Sequence, residues 1–178
     1  RRPPRSTHCI SSAASDVYKR QVMKGAVLYG HNPLSISARI LGYSYGVSVK
    51  APFNPEIHPL ASRYVESDGK SYCKNIFDEL VANNTKVPST GNMVQRNYFF
   101  EKFSKSGRLE VYCTKKGNTT LVDENCQLLG TLNVSISREV LDKWDIQGEF
   151  IFGMTEIKVS VTVNHTNETF TKTLDLLE

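Results

Sequence analysis

The sequence predicts a mainly β fold, an antiparallel β-sandwich, and three observations lead there. Residues 157–164 alternate β-branched apolar side chains (Ile157, Val159, Val161, Val163) with polar ones, the period of a strand with one face buried. Residues 149–153 before it and 169–176 after it read as two more strands, and the turn-like His165, Thr166, Asn167 and Glu168 link the second pair. Three strands in a row form a meander, which needs further sheet to cover its apolar face. The rest of the chain supplies it, as further short alternating runs between Gly- and Asn-containing turns, to a total of about seven or eight strands.

From the N-terminus, residues 1–21 carry Pro3, Pro4 and a run of Ser and Ala, with no initiator Met and no apolar centre of the kind a secretory signal needs. The segment resembles translated sequencing-adapter read-through and is expected to be a non-native or disordered leader. Residues 22–30 read as the end of a helix closed by Gly30 and blocked by Pro33. A connector leads to the first strand, on which Tyr43, Tyr45, Val47 and Val49 share a face. Residues 51–70, with Pro52, Pro55, Pro59, Asp68 and Gly69, read as a long irregular insertion. Residues 71–81 fit either a helical stripe (Ile76, Phe77, Leu80, Val81) or a strand. Residues 93–103 and 108–114 read as two strands joined by a hairpin turn at Ser104, Lys105, Ser106 and Gly107. In residues 127–137, Leu128, Gly130, Leu132, Val134 and Ile136 are expected to point inward and Asn133 outward, and Ser137 to cap a short helix reaching Trp144.

Charge narrows the function. The formal net charge of +4 is concentrated at the N-terminus: residues 1–21 hold five basic side chains and one acidic, which leaves 17 of each sign in residues 22–178. A neutral body does not suggest a phosphate-binding surface, so no nucleic-acid partner is expected. No apolar run approaches the ~20 residues of a membrane span. Cys9, Cys73, Cys113 and Cys126 form no Cys-x-x-Cys pair, and a reduced cytoplasmic protein is the simpler reading. Sequons at Asn83, Asn118, Asn133, Asn164 and Asn167 support the alternative of an extracellular adhesion-type sandwich.

Catalytic chemistry is not indicated. The four histidines, His8, His31, His58 and His165, lie in no metal-ligand spacing. There is no Gly-x-Ser-x-Gly elbow, and residues 42–46 lack the Lys-Ser/Thr end of a phosphate loop. The aromatic group Tyr98, Phe99, Phe100 and Phe103 is expected in the core, since no positive surface accompanies it to make a stacking platform.

Several collinear motifs carry a resemblance: residues 22–30 with Asn32 and Pro33, then Tyr45-Gly46-Val47, Cys73 with Phe77 and Asp78, residues 93–98, Gly130-Thr131-Leu132, and above all residues 152–158. In this order they resemble the atypical, twelfth subfamily of the seventy-kilodalton heat-shock proteins. The resemblance covers residues 22–178 and implies three parts: the leader, residues 22–41 as the end of a nucleotide-binding domain with its linker, and residues 42–178 as a peptide-binding-like sandwich with the 51–70 insertion. It implies an ATP-dependent, chaperone-like parent, with ATP and Mg bound by the parent and no cofactor, metal or catalytic residue in this fragment. The partners implied are unfolded or extended apolar polypeptide segments. A non-client role, docking a structural or signalling partner, is the alternative. Matched by position, the resemblance points to Val47, Val49, Phe100, Leu109 and Val111 as peptide-binding candidates. The chain departs from the wider family in residues 36–42, which replace an acidic, Leu-rich linker, and in Lys50, which stands where an apolar cleft residue is expected. A helical lid after Leu177, as the wider family would have, is not expected.

Overall fold

The computed structural model describes residues 10–32, 37–66, 69–100, 106–135, 144–153 and 155–176. The chain divides into two compact units, residues 1–37 and 38–178. The division falls four residues before the boundary read from the sequence, because the strand β1 (Ala38–Ile40) pairs with β5 (Lys86–Pro88) of the second unit. In the first unit a helix, α1 (Ile10–His31), starts well inside the segment read as a disordered leader. Its Ser/Ala-rich first turns contain no Pro or Gly to oppose a helix, and it ends one residue beyond Gly30. Residues 1–9 of the leader, including Cys9, lie outside the described residues.

The second unit is a β-sandwich. Its larger sheet has β3 (Arg63–Val65), β4 (Ser71–Val81), β2 (Ser44–Pro52), β7 (Ser106–Thr114) and β8 (Gln127–Ser135), in that order. The facing sheet has β11 (Thr169–Asp175), β10 (Glu156–Val163), β9 (Trp144–Phe152) and β6 (Asn92–Phe100). Among the described residues every strand pair is antiparallel. The meander β9-β10-β11 stands as read, with Ile157, Val159, Val161 and Val163 all buried. These side chains meet Tyr45, Val47, Leu109, Val111, Leu132 and Val134 of the other sheet in one apolar core. Across it the Tyr45 and Phe152 rings approach to 5.7 Å, within the range favoured by aromatic pairs. The sandwich is tied on both flanks. The Tyr98 hydroxyl donates to Asp78 at 2.9 Å, and the Lys172 ammonium donates to the Thr131 carbonyl at 2.8 Å.

One open reading is resolved and three others change. Residues 71–81 are a strand, and their helical look arises because apolar residues occupy both faces. Phe77 is buried outside the main core, where the Thr120 carbonyl accepts from its backbone N–H and Leu121 bridges Ile76. Strands β6 and β7 form no hairpin: β6 pairs with β9 and β7 with β2 and β8, so the chain crosses between sheets after Phe100. The turn residues 104 and 105 and the expected helix from Ser137 lie outside the described residues, apart from Trp144, which opens β9. In β8, a register shift at Val111/Tyr112 sets Leu128 outward and turns Leu129 toward the core, whereas Leu132 and Val134 stay inside and Asn133 faces out. The 51–70 insertion is also partly ordered, by a 3-10 turn at Leu60–Ser62 and by β3 along the edge of β4.

Candidate functional site

The larger sheet is split. Strands β2 and β7 pair only over Ser44–Val47 and Val111–Thr114. Beyond Val47, β2 continues to Pro52 paired, among the described residues, with β4 alone, and β7 enters from Ser106 paired with β8 alone. Two strand edges therefore face each other across a gap, each with half of its backbone polar groups turned toward it. The local sequence produces this divergence. Strand β2 meets β4 with register shifts at Tyr45/Gly46 and Val49/Ala51, and Asn75 opposite the second adopts a left-handed φ of 58°. Such bulges bend a strand and increase its twist. At Gly46 the Phe77 ring lies 2.6 Å from where a Cβ would stand, so β4 can cross β2 closely only at a glycine.

The gap holds a cavity of about 630 Å³. Its walls are Ser48, Val49 and Lys50 of β2 and Ser106, Gly107, Arg108 and Glu110 of β7, with Lys74, Asn75 and Asn133 contributed by the neighbouring strands. Gly107 is also required: the Phe100 ring sits 2.3 Å from its would-be Cβ, filling the space beneath β7. A smaller cavity of about 380 Å³ shares Lys74 and Asn75 and continues toward Arg63 and Tyr64 of the insertion and Leu121 and Val122.

The five candidates from the sequence lie in two layers. Val47, Leu109 and Val111 are buried in the core below the gap. Val49 lines the cavity and Phe100 backs Gly107, and both are partly buried against the core. Of the polar wall residues, Lys74, Arg108 and Glu110 were not singled out and Asn133 was named only as a sequon facing outward, although Arg108, Glu110 and Asn133 occupy the outward phase of the alternation that marks Leu109, Val111, Leu132 and Val134 as inward. Of the aromatic group expected in the core, Tyr98 and Phe100 pack against it, Phe99 is exposed, and Phe103 lies outside the described residues.

Charge around the gap is ordered. Lys50 forms an ion pair with Glu66 of the insertion, and its ammonium lies 4.8 Å from the Tyr72 ring centroid. The Lys74 ammonium lies 4.2 Å from the centroid of Tyr64, a cation-π distance. Arg108 approaches Glu110 at 3.6 Å, and the Tyr112 hydroxyl donates to the same carboxylate at 3.0 Å. Burial, followed by the bond to Glu110, raises the Tyr112 hydroxyl above its ordinary pKa, so it remains a donor at neutral pH. Among the described residues no group of His, Cys, Asp and Glu is arranged to hold a metal ion, and no helix is long and apolar enough to cross a membrane.

This architecture can be set beside known proteins. No protein-family model matches the chain. The chain is similar to heat shock 70 kDa proteins 12A and 12B. It is 28% identical over 162 residues to the 12A proteins of Mus musculus and Homo sapiens, and 28% identical over 169 residues to human 12B. Each match covers 88% of this chain and 24% of the relative, in the relative's C-terminal region. The chain thus spans about a quarter of the length of these curated relatives. The likeness to the heat shock 70 kDa proteins 12A and 12B read from the collinear motifs is borne out, together with the mainly β architecture.

Proposed function

We propose that residues 38–178 form a chaperone-like binding module and not a catalyst, and that an extended polypeptide segment lies in the split between β2 and β7. The observation that carries this reading is the pair of facing strand edges with space between them. An extended chain satisfies such edges through its own backbone and presents alternate side chains to the walls. Val49, with Phe100 behind Gly107, gives the gap a small apolar floor. The similarity to proteins named for heat shock supports holding of polypeptides over any fixed small-molecule site. We assign any ATP- and magnesium-dependent step to a longer parent protein, a reading supported by the match to only about a quarter of each relative's length. The cytoplasm is the proposed location, a reading supported by the free thiols of Cys73, Cys113 and Cys126.

Hydrogen exchange tests this directly. The chain is incubated with a panel of extended peptides of varied side-chain chemistry, and amide protection is mapped. Binding is expected to slow exchange at residues 48–50 and 106–110 and to leave the β9-β10-β11 meander unchanged. Protection confined to other surfaces, or a folded chain that binds no peptide, defeats the reading.

A further inference from the structure

We propose that the segment held in the split is acidic, its carboxylates received by Lys50, Lys74 and Arg108. The inference rests on the reading of the split as a polypeptide cleft and specifies the chemistry of its occupant. Among the described residues three cations and one carboxylate, Glu110, line the cavity, along with Ser and Asn side chains, and Val49 is the one apolar side chain. Such walls offer charge-assisted hydrogen bonds to carboxylates, which Leu or Val side chains cannot accept.

The cations are spread over both walls. Lys50 and Lys74 come from β2 and β4, and Arg108 comes from β7 on the far side. Side chains of an extended ligand alternate in direction, so an acidic run can address both walls at once. Lys74 has no carboxylate partner among the described residues, its ammonium resting on Tyr64. The Arg108 side chain is 68% exposed and only loosely paired. At Lys50 a carboxylate is already in place, that of Glu66, which also accepts from the Tyr64 hydroxyl at 3.4 Å. Glu66 thus stands in for one ligand carboxylate and competes with it, placing the insertion beside the cleft as a brake on binding. A single-stranded nucleic acid is a poorer fit. It would need free aromatic faces on which to stack its bases, and Tyr64 and Tyr72 each carry an ammonium on their rings.

The test is fluorescence anisotropy of the full chain with short labelled peptides of equal length, one Asp/Glu-rich, one Leu/Val-rich and one Lys-rich. The acidic peptide is expected to bind best and to weaken as salt rises. Its affinity should fall on the order of tenfold in Lys74→Glu/Arg108→Glu, with a smaller loss in Lys74→Gln/Arg108→Gln as a milder control on folding. Glu66→Gln should tighten it severalfold. Equal or better binding of the apolar peptide, indifferent to the charge reversals, overturns the acidic specificity and leaves the cleft standing. Failure of a folded chain to bind any peptide removes both. Competition by a single-stranded oligodeoxythymidylate as strong as that of the acidic peptide reduces the effect to general attraction for polyanions and also overturns the proposal. Unchanged affinity in Glu66→Gln overturns the role of Glu66.

Discussion

Cys113 shows how burial of one side chain becomes a property of the molecule. Its thiol is fully buried on β7, and burial, with a smaller effect of Cys126, pushes its pKa up to about 11. An unfolded thiol titrates near 8.5. The folded value is raised, so the stabilisation is complete below about pH 8.5 and is lost as pH rises toward 11, because the unfolded chain releases the proton first. Tyr98 acts in the same sense at higher pH, raised by burial and then by Asp78. Urea unfolding at a series of pH values from neutral to about 10 should show wild-type stability falling. In Cys113→Ala stability should begin about 1 kcal/mol lower, from the lost packing, and fall less steeply. Parallel curves for the two proteins would show that the thiol does not couple to folding. The sequence separates the two only by place, Cys113 inside the strand read at residues 108–114 and Cys126 just before the one at 127–137. The distinction comes from the inward phase of Cys113 beside the core residue Val111, and from the loop position of Cys126, whose thiol faces Asp123.

At the scale of elements, the legible parts were those whose two faces differ. The meander β9-β10-β11 and the Tyr45/Val47 face of β2 could be read because polar residues alternate strictly with apolar ones. Strand β4 could not be read, because Phe77 is buried on the face opposite to the core and the register shift beside Tyr45 brings Leu80 and Val81 inside together. The β6-β7 connection was misread because Ser and Gly favour a turn without determining whether the next strand pairs with the last one or crosses to the other sheet. The split was invisible for a related reason: Val47 and Val49 look alike in sequence, yet pairing with β7 stops between them. Its geometry rests on the β2-β4 crossing. In Gly46→Ala the new methyl would meet the Phe77 ring at 2.6 Å and the Asp78 carbonyl at 2.7 Å. Backbone cannot yield as a flexible side chain does, so the substitution is expected to cost about 1–3 kcal/mol. It should also weaken peptide binding by displacing β2. A stability within error of wild type would mean that the crossing relaxes freely and does not set the width of the gap.

At the scale of the whole molecule, the question is what the sandwich needs in order to fold. Its buried apolar residues run from Leu41 to Leu176, and both sheets are built from strands after residue 38. The interactions that tie the sheets together, Tyr98 to Asp78 and Lys172 to Thr131, lie within the same span. Residues 1–37 form a compact unit of their own, and α1 leaves Val22, Met23, Val27 and Leu28 exposed. A helix with that much exposed apolar surface promotes association between molecules. A chain of residues 38–178 is therefore expected to unfold in one cooperative transition, with a midpoint within a few degrees of that of the full chain. It should stay monomeric at concentrations where the full chain self-associates, and calorimetry with sedimentation on the two proteins checks both points. A broad or strongly lowered transition would show that the sandwich draws stability from the N-terminal unit, and the cleft would then have to be studied only in the longer chain.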